Sequence, residues 1–246
     1  MAERSGLSYR RFEPAPPGGG RTAILLHGFC SNGDNDWVTP GTARALTEAG
    51  HLVLVPDLRG HGSSPAPASA AEAHADAQAA DVLAVLDAAG AEEFDIVGYS
   101  LGARIAWEVV RQAPGRVGRV VLGGLSPAEP FTAVDVEALH RAVSGGGEPA
   151  DPFTAMMAGM IASQGERAPG LAVVVEGLRE TPFDPATWGG RTPPVLIAGR
   201  DDMMSQGIER IVELTASTEH LVVPGGHIEA LTGPDFRDNV VKVLQR

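Results

Sequence analysis

Gly98-Tyr99-Ser100-Leu101-Gly102 stands where an apolar run, Phe94-Asp95-Ile96-Val97, gives way to an amphipathic one, Ala103-Arg104-Ile105-Ala106-Trp107-Glu108-Val109-Val110. The first run reads as a buried strand and the second as a helix, so five residues must turn the chain sharply from one into the other. The two glycines let helix and strand pack with no Cβ between them. The serine at the apex is forced into strained backbone geometry, with its hydroxyl at the sheet edge. The free N–H groups of the helix N-terminus point at whatever that hydroxyl attacks. In a chain with 31 glycines the pentapeptide alone recurs by chance, and its strand–turn–helix setting is what gives it meaning.

A serine needs a base, and the base needs an orienting group. Pro194-Val195-Leu196-Ile197-Ala198-Gly199 reads as a buried strand that runs into Arg200-Asp201-Asp202. His220-Leu221-Val222-Val223-Pro224 reads as another that runs into Gly225-Gly226-His227. Both polar groups fall beyond the carboxyl ends of strands, where open α/β sheets place their sites. The chain order is serine, acid, histidine. The plainer roles are a turn for the aspartates and a helix cap for His227. Of the two aspartates, Asp202 is preferred to Asp201.

His27-Gly28-Phe29, Asp57-Leu58-Arg59-Gly60-His61-Gly62-Ser63-Ser64, the Ser100 pentapeptide, Gly199-Arg200-Asp201-Asp202 and Gly226-His227 together resemble the α/β-hydrolase superfamily. The resemblance covers nearly the whole chain outside a central segment. It implies a small-cap, serine esterase-like member: a mostly parallel, doubly wound sheet of about eight strands under a small helical cap. It makes Ser100 the nucleophile, His227 the base and Asp202 the acid, three residues past Gly199. It gives the oxyanion hole to the N–H groups of Phe29 and Leu101. No cofactor and no metal are implied. The residues agree on the oxyanion loop, because Ile24-Leu25-Leu26 is an apolar strand whose exit is His27-Gly28-Phe29. Each such N–H lowers the barrier by roughly 3–4 kcal/mol. His27 and His61 read as loop organisers, and Asp57 and Arg59 as ion-pairing residues. Some relatives carry their acid after the strand that precedes Ser126, but here no acid follows until Glu129.

Hydrolysis of a small or medium-sized ester is the leading reading. The Ser100 elbow followed by Ala103-Arg104 is also similar to that of the menaquinone-pathway synthase that eliminates pyruvate. Arg104 would there anchor a substrate carboxylate, whereas its plainer role is a surface ion pair. A lyase or C–C hydrolase on the same triad is therefore an alternative. So is a cofactor-free perhydrolase or haloperoxidase-like activity. A binding protein on the same scaffold is a third, although the chain keeps all three triad members.

A chain of 246 residues can bury one large α/β core. The net charge of −12, with Lys and Arg scattered, offers no basic patch for nucleic acid. Cys30 is the only cysteine, so no intramolecular disulfide forms. No clustered ligands suggest a metal, and no apolar run is long enough to span a membrane. Met1–Gly6 lacks the apolar core of a signal peptide. The expectation is a soluble, cytoplasmic protein acting on a small molecule, with its oligomeric state open. Strands are expected at 7–12, 22–26, 52–55, 94–97, 118–123, 194–198 and 220–223. Helices are expected at about 42–49, 72–89, 101–112, 205–216 and 235–245, with a turn at 14–20. Residues 127–191 differ in character: they hold seven prolines and the run Ser144-Gly145-Gly146-Gly147. Helical patterns run at 134–143, 153–163 and 171–178, and the resemblance implies that this segment is a lid between two halves of the core, 1–126 and 192–246. Phe153, Met156, Met157 and Met160 suit an adaptable apolar lining, with Met156 and Met160 the candidate substrate contacts.

Overall fold

A computed structural model describes residues 6–14, 20–217 and 219–246. The segment Met1–Gly6 and the expected turn at 14–20 lie largely outside them. The strands are β1 (Tyr9–Phe12), β2 (Thr22–Leu26), β3 (Val53–Pro56), β4 (Phe94–Tyr99), β5 (Val117–Gly123), β6 (Val195–Gly199) and β7 (His220–Val223). They form one sheet in the order β1-β3-β2-β4-β5-β6-β7. β1 pairs antiparallel with β3, and every other pair is parallel. This is the α/β-hydrolase architecture, with seven strands among the described residues against the expected eight or so.

The strand order reverses between β2 and β4. The chain leaves β2 toward β3 on one side, then returns to lay β4 on the other. Loops leaving the carboxyl ends of these two neighbours diverge and open a crevice, the usual ligand site of an open α/β sheet. The loop after β2 carries Phe29 and the turn after β4 carries Ser100.

Alternate strand residues enter separate cores. Ile24, Leu26, Leu54, Ile96, Leu122 and Leu196 pack beneath α2 (Ala75–Ala88) and α3 (Leu101–Gln112). Leu25, Val53, Val55, Val97, Val121 and Ile197 face α1 (Thr42–Glu48) and α9 (Pro234–Leu244). Because both faces are covered, the strands read as unbroken apolar runs.

Between β5 and β6 lie α4 (Val136–Val143), α5 (Pro152–Ala162) and α6 (Ala168–Glu180), close to the expected helices. Asp135 and Asp151 cap α4 and α5 by accepting from Ala138 N–H and Thr154 N–H at 3.0 and 2.7 Å. Leu171, Val174, Val175 and Leu178 of α6 join the same core as α2 and α3. Two expected helices are cut. The one at 72–89 is interrupted at His74, whose backbone is extended (ψ 148°) and whose Nε2 meets Glu180 at 2.7 Å. The one at 205–216 shrinks to α7 (Glu209–Thr215), because Gly207 adopts φ +80°. The closing helix is preceded by the short α8 (His227–Thr232), the two separated at Gly233-Pro234. None of the described helices is long and apolar enough to cross a membrane.

The tightest contact of the fold lies at the turn into α3. A Cβ on Gly102 would sit 2.0 Å from Leu26 O, and one on Gly98 would sit 2.2 Å from Gly102 O. Neither backbone can give way without lifting α3 off β2 and β4. Gly102→Ala is therefore expected to lower stability by about 3 kcal/mol or to prevent folding. A urea midpoint equal to wild type would show that the helix lifts freely.

Candidate active site

Ser100 adopts φ 53° and ψ −115°, a region costly for a non-glycine residue. Two backbone bonds hold it there: Ser100 N–H donates to Gly123 O at 2.9 Å, and Arg104 N–H donates to Ser100 O at 3.1 Å. Ser100 lines a cavity of about 280 Å³ that His227 also lines. Its Oγ makes no hydrogen bond among the described residues, that to His227 included. Such contacts are often long without substrate and tighten only in the reacting complex.

Asp202 follows β6 and His227 opens α8. His227 Nδ1 lies 2.9 Å from Asp202 Oδ2. The carboxylate also accepts from Met204 N–H at 2.9 Å and Ser205 Oγ–H at 2.8 Å. Burial pushes the Asp202 carboxyl upward, but His227, Ser205 and Met204 together hold it below the usual range. Asp202 is thus an anion, which favours the His227 tautomer that donates from Nδ1. Asp201 is exposed, so the geometry joins His227 to Asp202. Tyr99, the unremarked residue of the elbow, points to the opposite face. Its hydroxyl donates to His227 O at 2.5 Å and its ring packs 5.2 Å from the imidazole. Only its place at the end of a buried strand could have signalled this role.

The loop after β2 is held by buried polar groups. His27 Nε2 accepts from Leu58 N–H at 2.9 Å, so Nδ1 carries the proton and donates to Gly28 O at 2.7 Å. Asp36, in a π-helical turn over Asp34–Val38, accepts from Gly28 N–H at 2.8 Å and Ser31 Oγ–H at 2.5 Å. Sequence reasoning missed Asp36, which no periodic pattern marks. Asp57 accepts from Gly33 N–H and Ser63 N–H at 2.9 and 2.8 Å and pairs with Arg10 at 3.3 Å. Arg59 makes a two-pronged pair with Asp81 at 2.7 and 2.8 Å. His61 is buried against Phe29, and desolvation lowers it to about 3, so it is neutral. Phe29 and Leu101 both line the cavity, and neither N–H has a partner among the described residues. Burial pushes the Cys30 thiol up to about 12, which disfavours its thiolate.

The far wall comes from the segment between β5 and β6. Phe131, Phe153, Met156, Met157 and Met160 line it, joined by Phe183. Met157 is buried, whereas Met156 and Met160 are 58% and 40% exposed, so these two form the mouth and not the helix core. Arg104 does not make the surface ion pair of its plainer role. It is buried, it lines the cavity, and its Nε stands 3.6 Å from the buried Glu129 Oε2. Glu129 therefore engages Arg104 and leaves His227 to Asp202. No group of three or more possible metal ligands occurs among the described residues.

The family model for the alpha/beta hydrolase fold matches residues 23–162, more than half of the chain. The chain belongs to the α/β-hydrolase family. It is 33% identical over 123 residues to epoxide hydrolase 3 of Siraitia grosvenorii, covering 48% of this chain and 38% of that one. It is 32% identical over 124 residues to 2-hydroxy-6-oxononadienedioate/2-hydroxy-6-oxononatrienedioate hydrolase 2 of Pseudomonas putida, covering 49% and 43%. The chain thus spans less than half the length of these curated relatives. Among solved structures, the enol-lactonase of Burkholderia xenovorans LB400 superposes with a TM-score of 0.73 at 19% identity, over 98% of this chain and 96% of that one. At that identity the likeness is one of fold.

Glu129 gives this α/β hydrolase a testable pH dependence. Burial raises its carboxyl from 4.5 to about 7, outweighing the attraction of Arg104 and the Phe131 N–H. The folded state therefore holds this proton more tightly than the unfolded state. The contribution to stability is full below about 4.5 and is lost as the pH rises toward 7. The loss is on the order of 3 kcal/mol. Glu129→Gln should flatten the stability curve over that interval in chemical denaturation. Parallel curves for the two proteins would show that Glu129 titrates normally.

Proposed function

We propose that the protein is a serine hydrolase that cleaves a small or medium-sized carboxylic ester through an acyl-enzyme. The observation that supports this reading is the 2.9 Å contact between Asp202 Oδ2 and His227 Nδ1, with His227 lining the same cavity as the strained Ser100. Ser100 Oγ attacks the acyl carbon while His227 Nε2 takes its proton. The Phe29 and Leu101 N–H groups receive the oxyanion. His227 then returns the proton to the departing alcohol, and water, deprotonated by the same imidazole, releases the acid. Asp202 holds the tautomer and stabilises the imidazolium. Residues 127–191 act as a lid over a core made of 1–126 and 192–246. Hydrolysis of a C–C bond is a second reading, favoured by the name of the Pseudomonas putida relative. The Glu129 carboxyl beside Arg104 speaks against it, because a substrate carboxylate held there would meet a like charge.

Ser100→Ala is expected to abolish covalent labelling by a fluorophosphonate probe while the fold persists. Undiminished labelling of that variant would sink the assignment. Asp202→Asn should lower the turnover number by on the order of 10⁴, because the wrong imidazole tautomer is then favoured. Asp201→Asn should cost far less, and a reversed order of penalties would make Asp201 the acid.

Met156 and Met160 set the acyl size at the mouth. Met156→Ala or Met160→Ala should shift preference toward longer acyl chains, by roughly 1–3 kcal/mol per methylene in the ratio of specificity constants. Turnover of the shortest ester should hardly change. A lowered Tm with an unaltered chain-length profile would make these methionines packing residues only.

A further inference from the structure

Arg104 and Glu129 are the charged side chains set in the apolar part of the cavity. Their atoms are unevenly satisfied. Arg104 Nη2 donates to Thr181 O at 3.0 Å, and the guanidinium lies 5.1 Å from the Phe183 ring centroid, which fixes its plane. Arg104 Nε is buried and has no hydrogen-bond partner. Glu129 Oε2 faces it at 3.6 Å, too far for a bond, and Oε1 has only a long contact of 3.4 Å from Phe131 N–H. The two side chains are 10% and 3% exposed. A buried donor with no partner thus faces a carboxylate oxygen that makes no hydrogen bond, and a third group between them would relieve the cost the donor carries.

The chemistry of that third group is constrained. It must accept from Nε and donate to Oε2. A hydroxyl oxygen does both, and two atoms 3.6 Å apart can share one once the side chains covering Nε shift to admit it. A carboxylate would meet the like charge of Glu129, an ammonium that of Arg104, and a plain methyl would leave both atoms unpaired. The surroundings, Phe29, Leu125, Phe131, Phe153, Met157 and Phe183, suit a hydrocarbon body. Arg104 stands one helical turn beyond Ser100, with its N–H bonded to Ser100 O, so such a group would be carried some bonds away from the reacting carbonyl.

We infer that Arg104 and Glu129 form a specificity subsite for a neutral hydroxyl on an otherwise apolar ester. The inference rests on the ester-hydrolase reading for its substrate class and goes beyond it in naming what the substrate carries. The simpler alternative is that the pair only ties the loop after β5 to α3.

The test compares p-nitrophenyl esters of ω-hydroxyalkanoates with plain alkanoates and with dicarboxylate half-esters of matched length. A second series compares acetates of α,ω-diols with acetates of plain alkanols. Both are run at about pH 8.5, where Glu129 is ionised. In one series or the other, the hydroxylated ester should be preferred in kcat/KM by about tenfold or more, as expected for hydrogen bonds to charged groups. Arg104→Met/Glu129→Leu replaces both charges with apolar side chains of similar volume, a change that buried pairs commonly tolerate. It should abolish or reverse the preference. A wild-type preference for the plain ester or the half-ester overturns the inference. So does a hydroxyl preference that survives in the double variant, which would leave the pair a structural tie. Calorimetry on Ser100→Ala with ω-hydroxyalkyl and plain alkyl amides reads the same subsite without turnover. Absence of any ester cleavage would defeat the hydrolase reading alone, whereas equal affinity for the two amides would defeat the subsite.

Discussion

The close approach of α3 to β2 and β4 governs the site. Gly98 and Gly102 bring backbone against backbone, with Leu26 O where a Cβ of residue 102 would be. That contact leaves Ser100 no relaxed conformation, and two backbone bonds close the remaining escape. It also brings the N-terminus of α3 beside the exit of β2, so the Leu101 N–H and the Phe29 N–H come from adjacent strands at the reversal of strand order. Nucleophile geometry and oxyanion donors thus follow from one packing event. The strain at Ser100 is sustained by the two cores on either face of the sheet.

Buried acids around the sheet edge show what decides whether a carboxyl ionises. Burial is the largest influence on Asp57, Asp202, Asp95 and Glu129, and it pushes all four upward. Asp57 and Asp202 nevertheless fall below the usual range, because short N–H or O–H bonds converge on each, with Arg10 also beside Asp57. Asp95 has one short N–H bond, from Arg119, with arginines no nearer than 4.0 Å, and stays raised. Glu129, with contacts of 3.4 and 3.6 Å, rises to about 7. The count and length of donors, more than proximity to a positive charge, separate the two outcomes. Asp202 is built as a permanent anion, and Glu129 is left incompletely satisfied in the wall of the cavity.

The cavity divides by origin. Its reactive side comes from strand ends and the turn into α3, and its apolar side from the helices between β5 and β6. A rigid sheet edge can therefore keep one chemistry while helices remote from it in sequence choose the molecule that enters. The contrast between the buried Met157 and the exposed Met156 and Met160 on one helix marks where packing ends and the mouth begins.

What the sequence by itself determined is local or sequential. Strand runs covered on both faces, the glycine-flanked Ser100, and Asp202 and His227 just beyond strand ends all leave marks within a few residues. Strand–helix alternation then carries those marks to one sheet edge. What only the tertiary structure decided depends on which distant atoms meet in the interior. Asp36 and Tyr99 gained their positioning contacts from partners 8 and 128 residues away. At the break, His74 meets Glu180, 106 residues on. Arg104 reads on its helix as an exposed cation, yet the loop after β5 folds Glu129 over it and buries both. Burial and the number of donors around a charge are properties of the assembled interior, and no pattern within one segment encodes them.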